Sequence, residues 1–435
     1  MIRWRRRQCY KKKKAKRRSS GGLAATLALQ SGKRLIDARI PRLMNSQRRL
    51  LSFLWLLAIA AVAWGSGWSR EPAGTKPYLV YVGTYTTKQS SKGIYAYWFD
   101  AGTGKLKAAG LAAESADPSF VAVHPSGKYL YAVNEVDEFG GQKSGAVSAF
   151  AIDHRNGALK LLNQVATRGG GPCHVSLDKS GKYVLVANYD GGSVASFPVR
   201  EDGSLGEIAA FDQHSGSGVN KERQEGPHAH WIGTSPDNRF VLAADLGLDE
   251  VVVYRFDAAK GTLTANIPPF AKANPGAGPR HLAFHPDGKF LYLLTEMGNA
   301  VTAFSYDGRK GSLSALQTIS TLRGDYSGPK EAAEVVVHPS GKFLYASNRA
   351  GVDSVTAFAI DRVKGTLKLI GEFPTMGKTP RNFAIDPTGR FLLAANQESG
   401  NIVVFRIDAT TGRLTPTGES VEVPAAVCIA FATVR

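Results

Sequence analysis

The stretch Phe120-Val121-Ala122-Val123-His124-Pro125-Ser126-Gly127-Lys128-Tyr129-Leu130-Tyr131-Ala132-Val133-Asn134 sets a polar Pro/Gly turn between two apolar runs. Runs this short, bounded by turn residues, read as two antiparallel strands joined by a hairpin. The turn has five relatives: Lys179-Ser180-Gly181-Lys182, Pro236-Asp237-Asn238-Arg239, Pro286-Asp287-Gly288-Lys289, Pro339-Ser340-Gly341-Lys342 and Pro387-Thr388-Gly389-Arg390. Between them a Gly-x-Leu element recurs seven times, at Gly104, Gly157, Gly203, Gly261, Gly311, Gly365 and Gly412, with intervals of 53, 46, 58, 50, 54 and 47 residues. Each Gly is expected to make a tight turn and each Leu to begin the strand that follows. Four strands in about 51 residues, repeated, describe the blade of a β-propeller. No Trp-Asp dipeptide occurs, which excludes a WD40 array.

Seven copies of one element and six of the other point to how the ring closes. The unit that starts at Tyr78-Leu79-Val80-Tyr81-Val82 lacks a first strand, and the apolar run Val427–Val434 is left over at the end. That run supplies the missing innermost strand, and closure removes the exposed edges an open array would leave. The expectation is an all-β, seven-bladed propeller of four-stranded blades over residues 76–435. Residues 1–43 read as a basic N-terminal extension, with Met44 as an alternative start, and 44–75 as signal peptide and linker.

Composition agrees with this division. The chain has 435 residues, 43% hydrophobic, and a formal charge of +18. Residues 1–49 hold 17 of the 54 Lys+Arg and only Asp37 among the 36 acids, so the rest is nearly neutral, 37 against 35. The basicity belongs to the leader, and a globular nucleic-acid-binding surface is not expected. Leu50–Trp64 is apolar except for Ser52; at about 15 residues it is shorter than the roughly 20 of a spanning helix. Arg48-Arg49 precede it and Ala61-Val62-Ala63 lie at its end in the small-x-small pattern of a cleavage site, so export without a stable membrane span is expected. A retained N-terminal anchor or a cytoplasmic protein are the alternatives. Cys9 would leave with the leader, while Cys173 and Cys428 fall on buried strands of non-adjacent units and read as free thiols.

The chain lacks a Gly-x-Ser-x-Gly elbow, a His-Glu-x-x-His pair and a Cys-x-x-Cys pair. Chemistry is therefore sought at the channel mouth, where inner strands begin and second strands end. The second strands end alike, at Asn134, Asn188, Asp245, Thr295, Asn348 and Asn396, which suits capping of loop backbone. The next residue varies: Glu135, Tyr189, Leu246, Glu296, Arg349 and Gln397. Variation is what one asymmetric site requires, and Glu296 and Arg349 stand out. Inner strands begin at Pro172-Cys173-His174, Pro227-His228-Ala229-His230, Pro279-Arg280-His281 and Pro380-Arg381-Asn382, so His174, His230, Arg280 and Arg381 are expected to converge with them. His124, His285 and His338 lie in turns at the far ends of such strands and read as structural.

Gly276-Ala277-Gly278-Pro279-Arg280-His281-Leu282-Ala283-Phe284-His285-Pro286 and the long loop Ser215–His230 resemble signatures of the propeller-type 6-phosphogluconolactonases, a lactonase family related to fungal carboxymuconate cyclase. The resemblance spans residues 77–435. It implies catalytic roles for His230 (or His228), Arg280, Glu296 and Arg349. Substrate contacts are expected from His174, Tyr189, His228, Arg381 and Gln397. Hydrolysis of a δ-lactone needs an activated water, an oxyanion stabiliser and an anchor for the acidic substrate. Glu296 or His230 would be the base, Arg280 the oxyanion partner, and Arg349 and Arg381 the anion anchors. No cofactor and no metal are expected, since a Ca²⁺ site would need several carboxylates. The expected partner is a small sugar lactone, 6-phosphoglucono-1,5-lactone first, and the expected state is a monomer. Cytosolic members of the family act on the phosphorylated sugar, so export bears on which lactone is used. A non-enzymatic propeller that binds a sugar or protein, and a cyclase acting on a muconate-like diacid, are the competing readings.

Overall fold

A computed structural model of the chain describes residues 77–434 apart from 88 and 89. The proposed extension, signal segment, Met44 and Cys9 lie outside the described residues. Seven four-stranded antiparallel sheets form the blades, and a two-stranded hairpin, Glu138–Phe139 with Gln142–Lys143, extends a loop of the second blade. In the first blade the order from the outside is Lys105–Glu114, Gly93–Asp100, Tyr78–Thr84 and then the C-terminal strand Ala426–Thr433. Tyr78 pairs with Thr433 and Val82 with Ile429, so the last strand is the innermost strand of the first blade. The ring closes as the repeat count requires.

The two repeated elements interlock across neighbouring blades. In six of the seven blades the Gly turn packs on the aromatic residue that opens the second strand of the blade before it, and Gly157 packs on Leu79 and Ala96 instead. At Gly261 φ is +72°, and a Cβ there would sit 2.1 Å from the Tyr183 ring; at Gly311 φ is +66° and the distance to Phe240 is 2.4 Å. Only glycine meets both demands without a clash. Gly104 and Phe391 make the same contact between the first and seventh blades. There Phe99, Val80 and Val82 pack with Phe391, Leu393 and Ile402 in one buried cluster, which makes closure an apolar event. The turn histidines bolt adjacent blades: His124, His285 and His338 place Nε2 2.9, 2.9 and 2.7 Å from the carbonyls of Gly181, Gly341 and Gly389.

The third blade departs from the expected pattern. Leu205 begins no strand; it makes an isolated bridge to Val199, and the outer strand starts only at Ala210. Pro198 ends the preceding strand, and Asn163 of the second blade takes both backbone groups of Leu205 instead, at 2.9 and 2.8 Å. Cys173 and Cys428 are buried and free, in the third and first blades.

Candidate active site

Two rings of side chains surround the channel mouth, and both follow from backbone geometry. The first consists of the residues just past each second strand: Tyr85, Glu135, Tyr189, Leu246, Glu296, Arg349 and Gln397. Each donates its backbone N–H to the segment that leads into an inner strand, at 2.7–3.2 Å: six to the residue directly before the strand, and Glu135 to Asp117, four residues before Val121. The strand-ending Asn and Asp side chains hold the adjoining loops, as Asn134 does with the carbonyl of Ala116 and Asp245 with the N–H groups of His228, Gly247 and Leu248.

The second ring comes from β-bulges at the start of the inner strands. Pairing skips one residue between Pro172 and His174, Ala229 and Trp231, Pro279 and His281, and Pro380 and Asn382. A bulge re-aims the side chain of the skipped residue, here Cys173, His230, Arg280 and Arg381. Register therefore sets Ala229 level with Pro279, and Pro227-His228 lie outside the fourth inner strand, contrary to an alignment of those four segments by their prolines. It also puts His174 on a lower tier with His281.

The skipped residues, with Ser119, Val427, Glu135, Phe120 and His281, line a recess that opens to solvent and has room for about one water molecule between the side chains. Glu296 lies at its edge in a clamp of guanidinium groups. Its Oε2 accepts from Arg280 Nε at 2.9 Å and faces Arg349 Nη2 at 3.1 Å, while Oε1 accepts from Arg223 Nη2 at 2.7 Å. Burial alone would raise its pKa, but Arg349, Arg280 and Arg223 outweigh burial and hold it well below the usual carboxylate range. Burial and the charges of Arg349 and Arg381 push Arg280 down to about 10, which leaves it charged at neutral pH. Arg280 also donates to the carbonyl of Ala333, and Arg349 to that of Ala332 at 3.1 Å.

Opposite this clamp, Arg381 donates to the Tyr85 hydroxyl at 2.8 Å and stacks on its ring at 5.3 Å. Tyr85 in turn donates to Glu135 at 2.8 Å, and Ser119 donates to the same carboxylate. Burial raises the pKa of Glu135, while Arg381 opposes the rise. His230 and His281 are pushed well below the ordinary imidazole range, first by burial and then by Arg280 among other groups, so both are neutral. Burial pushes the Cys173 thiol up, which suits an inert thiol rather than a nucleophile.

Residues 79–431 match the family profile described as "Lactonase, 7-bladed beta-propeller". The chain belongs to this lactonase family. It is 40% identical over 355 residues to the 6-phosphogluconolactonase of Bacillus subtilis (strain 168), covering 81% of this chain and 98% of that one. To the 6-phosphogluconolactonase of Formosa agariphila it is 38% identical, over 77% of this chain and 94% of the relative. Among solved structures, the periplasmic gluconolactonase of Pseudomonas aeruginosa superposes with a TM-score of 0.78 at 36% identity, covering 82% of this chain and all of that one. As a member of this family the protein is a lactone-hydrolysing enzyme.

Of the residues singled out in the lactonase sequence, His230, Arg280 and Arg381 line the cavity; Glu296 and Arg349 stand directly behind Arg280. Tyr189 reaches the same network through Arg223 Nη2 at 3.3 Å. His228 does not line the cavity: it stacks on Tyr189 at 4.6 Å and binds the Tyr189 carbonyl, which ties down the long loop. His174 is packed between Phe120 and Trp231, at 4.3 and 5.4 Å, and Gln397 is half-buried on the rim away from the lining. Sequence reasoning passed over Glu135 and Tyr85, although both hold the same position in their blades as Glu296. It also missed Arg223, Ser119, His281 and Glu334. Arg223 had a weak signal in the loop Ser215–His230: Asn220 caps a turn there and buried Gln224 anchors it to the Leu246 carbonyl at 2.8 Å.

Proposed function

We propose that this lactonase opens the ring ester of a sugar-acid lactone, 6-phosphoglucono-1,5-lactone first, in the cavity between His230, Arg280 and Arg381. The observation that carries this reading is Arg381. It lines the cavity, is half-buried, and forms no ion pair within 4 Å among the described residues. A guanidinium so placed suits an anionic substituent, which it can bind in bidentate fashion. The names of the curated relatives support the phosphorylated sugar. The periplasmic relative supports export, and makes unphosphorylated gluconolactone the substrate to compare.

Arg280 stabilises the oxyanion of the tetrahedral intermediate, since a fixed cation in a water-poor cavity needs little reorganisation as charge develops. Glu296 acts through the arginines. A carboxylate held by three guanidinium groups is too weak a base to take a proton from water, but it fixes the direction of Arg280. Arg349 sits behind Glu296 and works by holding it. Of the two bases first considered, His230 keeps direct access to the cavity.

Hydrolysis of both lactones, measured above their spontaneous rates, tests the reading. Arg381→Ala is expected to raise KM for the phosphorylated lactone about 10- to 100-fold, the worth of one charge-assisted contact, with a smaller change for gluconolactone. No rate above background on either lactone, from folded protein, overturns it.

A further inference from the structure

We propose that His281, backed by Glu334, is the general base of the lactonase, a pair outside the four groups that the family resemblance implies. The inference rests on the lactone-hydrolysis reading. His281 lines the cavity, and its Nε2 is buried with no hydrogen-bond partner. Its Nδ1 lies 2.8 Å from Glu334 Oε1; burial pushes the Glu334 carboxyl up to about 7, so above that pH the proton of the neutral ring sits on Nδ1 and the Nε2 lone pair is left unused. A buried polar atom without a partner costs about 1–3 kcal/mol, and a bound water or substrate would supply one here.

Glu334 is itself held by two donors, one of them fixed in turn. The Val335 N–H donates to Oε1 at 2.9 Å, Asn382 Nδ2 donates to Oε2, and the Asn382 amide is oriented by the Ile429 N–H, which donates to its Oδ1 at 2.9 Å. Base, orienting carboxylate and a fixed support behind it form the arrangement that activates water or a nucleophile on unrelated folds. His230 lacks such support: its Nδ1 has only the Cys173 sulfur, at 3.7 Å. The His281 ring lies 5.4 Å from His230, which lines the cavity, and 5.5 Å from His174, which does not; burial keeps both imidazoles neutral.

The step balances without any further reagent. Water gives a proton to His281 Nε2 as its oxygen bonds to the lactone carbonyl carbon, and the oxyanion forms beside Arg280. The ring C–O bond then breaks, and the departing alkoxide takes the proton back from His281.

His281→Ala and Glu334→Gln in the full protein test the pair. His281→Ala is expected to lower kcat on 6-phosphoglucono-1,5-lactone about 100-fold or more, with KM and the affinity for 6-phosphogluconate unchanged, and added imidazole should restore part of the rate. Glu334→Gln should lower kcat at least about 10-fold at unchanged KM. A kcat within about 3-fold of wild type in either folded variant overturns the proposal and leaves the lactonase reading standing. So does a loss in kcat matched by a rise in KM with no imidazole rescue. If His281→Ala does not fold, His281→Gln takes its place with the same expectations, imidazole rescue aside. If the wild-type protein hydrolyses no lactone, the functional reading itself fails and the proposal falls with it.

Discussion

Replacing Glu296 by Gln removes one negative charge and leaves three guanidinium groups facing one another. Arg280 is 2% exposed and Arg349 5%, so water can screen neither well. Removing one member of a buried ion pair costs about 3–5 kcal/mol. The lower end applies, because Gln keeps one oxygen to accept from Arg280 or Arg223. Unfolding entropy of about 2.1 cal/mol/K per residue, over residues 77–434, gives roughly 0.75 kcal/mol/K, so ~3 kcal/mol lowers Tm by about 4 °C. The pH dependence has a definite sign. The folded-state pKa of Glu296 is depressed, so its stabilisation is complete above the unfolded value and disappears as pH falls through the folded one. Thermal unfolding followed by circular dichroism should show a constant gap between wild type and Glu296→Gln from pH 5 to 8. The gap should narrow only in stronger acid. A Tm within about 1 °C of wild type at pH 7 would show that the arginines do not need this charge, and the clamp argument would be wrong.

Two further outcomes follow from contacts away from the lining. Gly261→Ala combines a left-handed φ with a clash against Tyr183, and should cost about 1–3 kcal/mol in chemical denaturation while leaving KM unchanged; a stability equal to wild type would remove the steric reason for the repeated glycine. Arg223→Ala removes the one exposed member of the clamp, its side chain 39% exposed. It should cost only about 0.5–1 kcal/mol, and a Tm loss as large as that of Glu296→Gln would count against the ranking by burial.

The first and second rings differ in how far they could be read in advance. Glu296 and Arg349 were legible because the position after each second strand is marked by the turn six or seven residues before it. Glu135 was equally marked, whereas Tyr85 follows a strand with no such turn before it; what was missing was the contact of Arg381 with Tyr85 across 296 residues. The bulges carry no local signature, so an alignment by the prolines sets the inner strand of the fourth blade two residues out, with Pro227 in place of Ala229. His281 directly follows the bulged Arg280, and nothing local marked it as a residue of the tier below.

The sequence by itself determined the architecture, the number of blades and the manner of closure. Turn chemistry and strand periodicity are local, and seven repetitions of a local pattern leave little choice of fold. The tertiary structure alone decided which polar side chains meet. Glu334 reaches His281 from 53 residues away and Asn382 from 48, and Arg223 reaches Glu296 across 73. Those contacts depend on the curvature of the ring and on one-residue bulges that turn a side chain from the sheet into the channel. Neither quantity is encoded in the periodicity of any single strand.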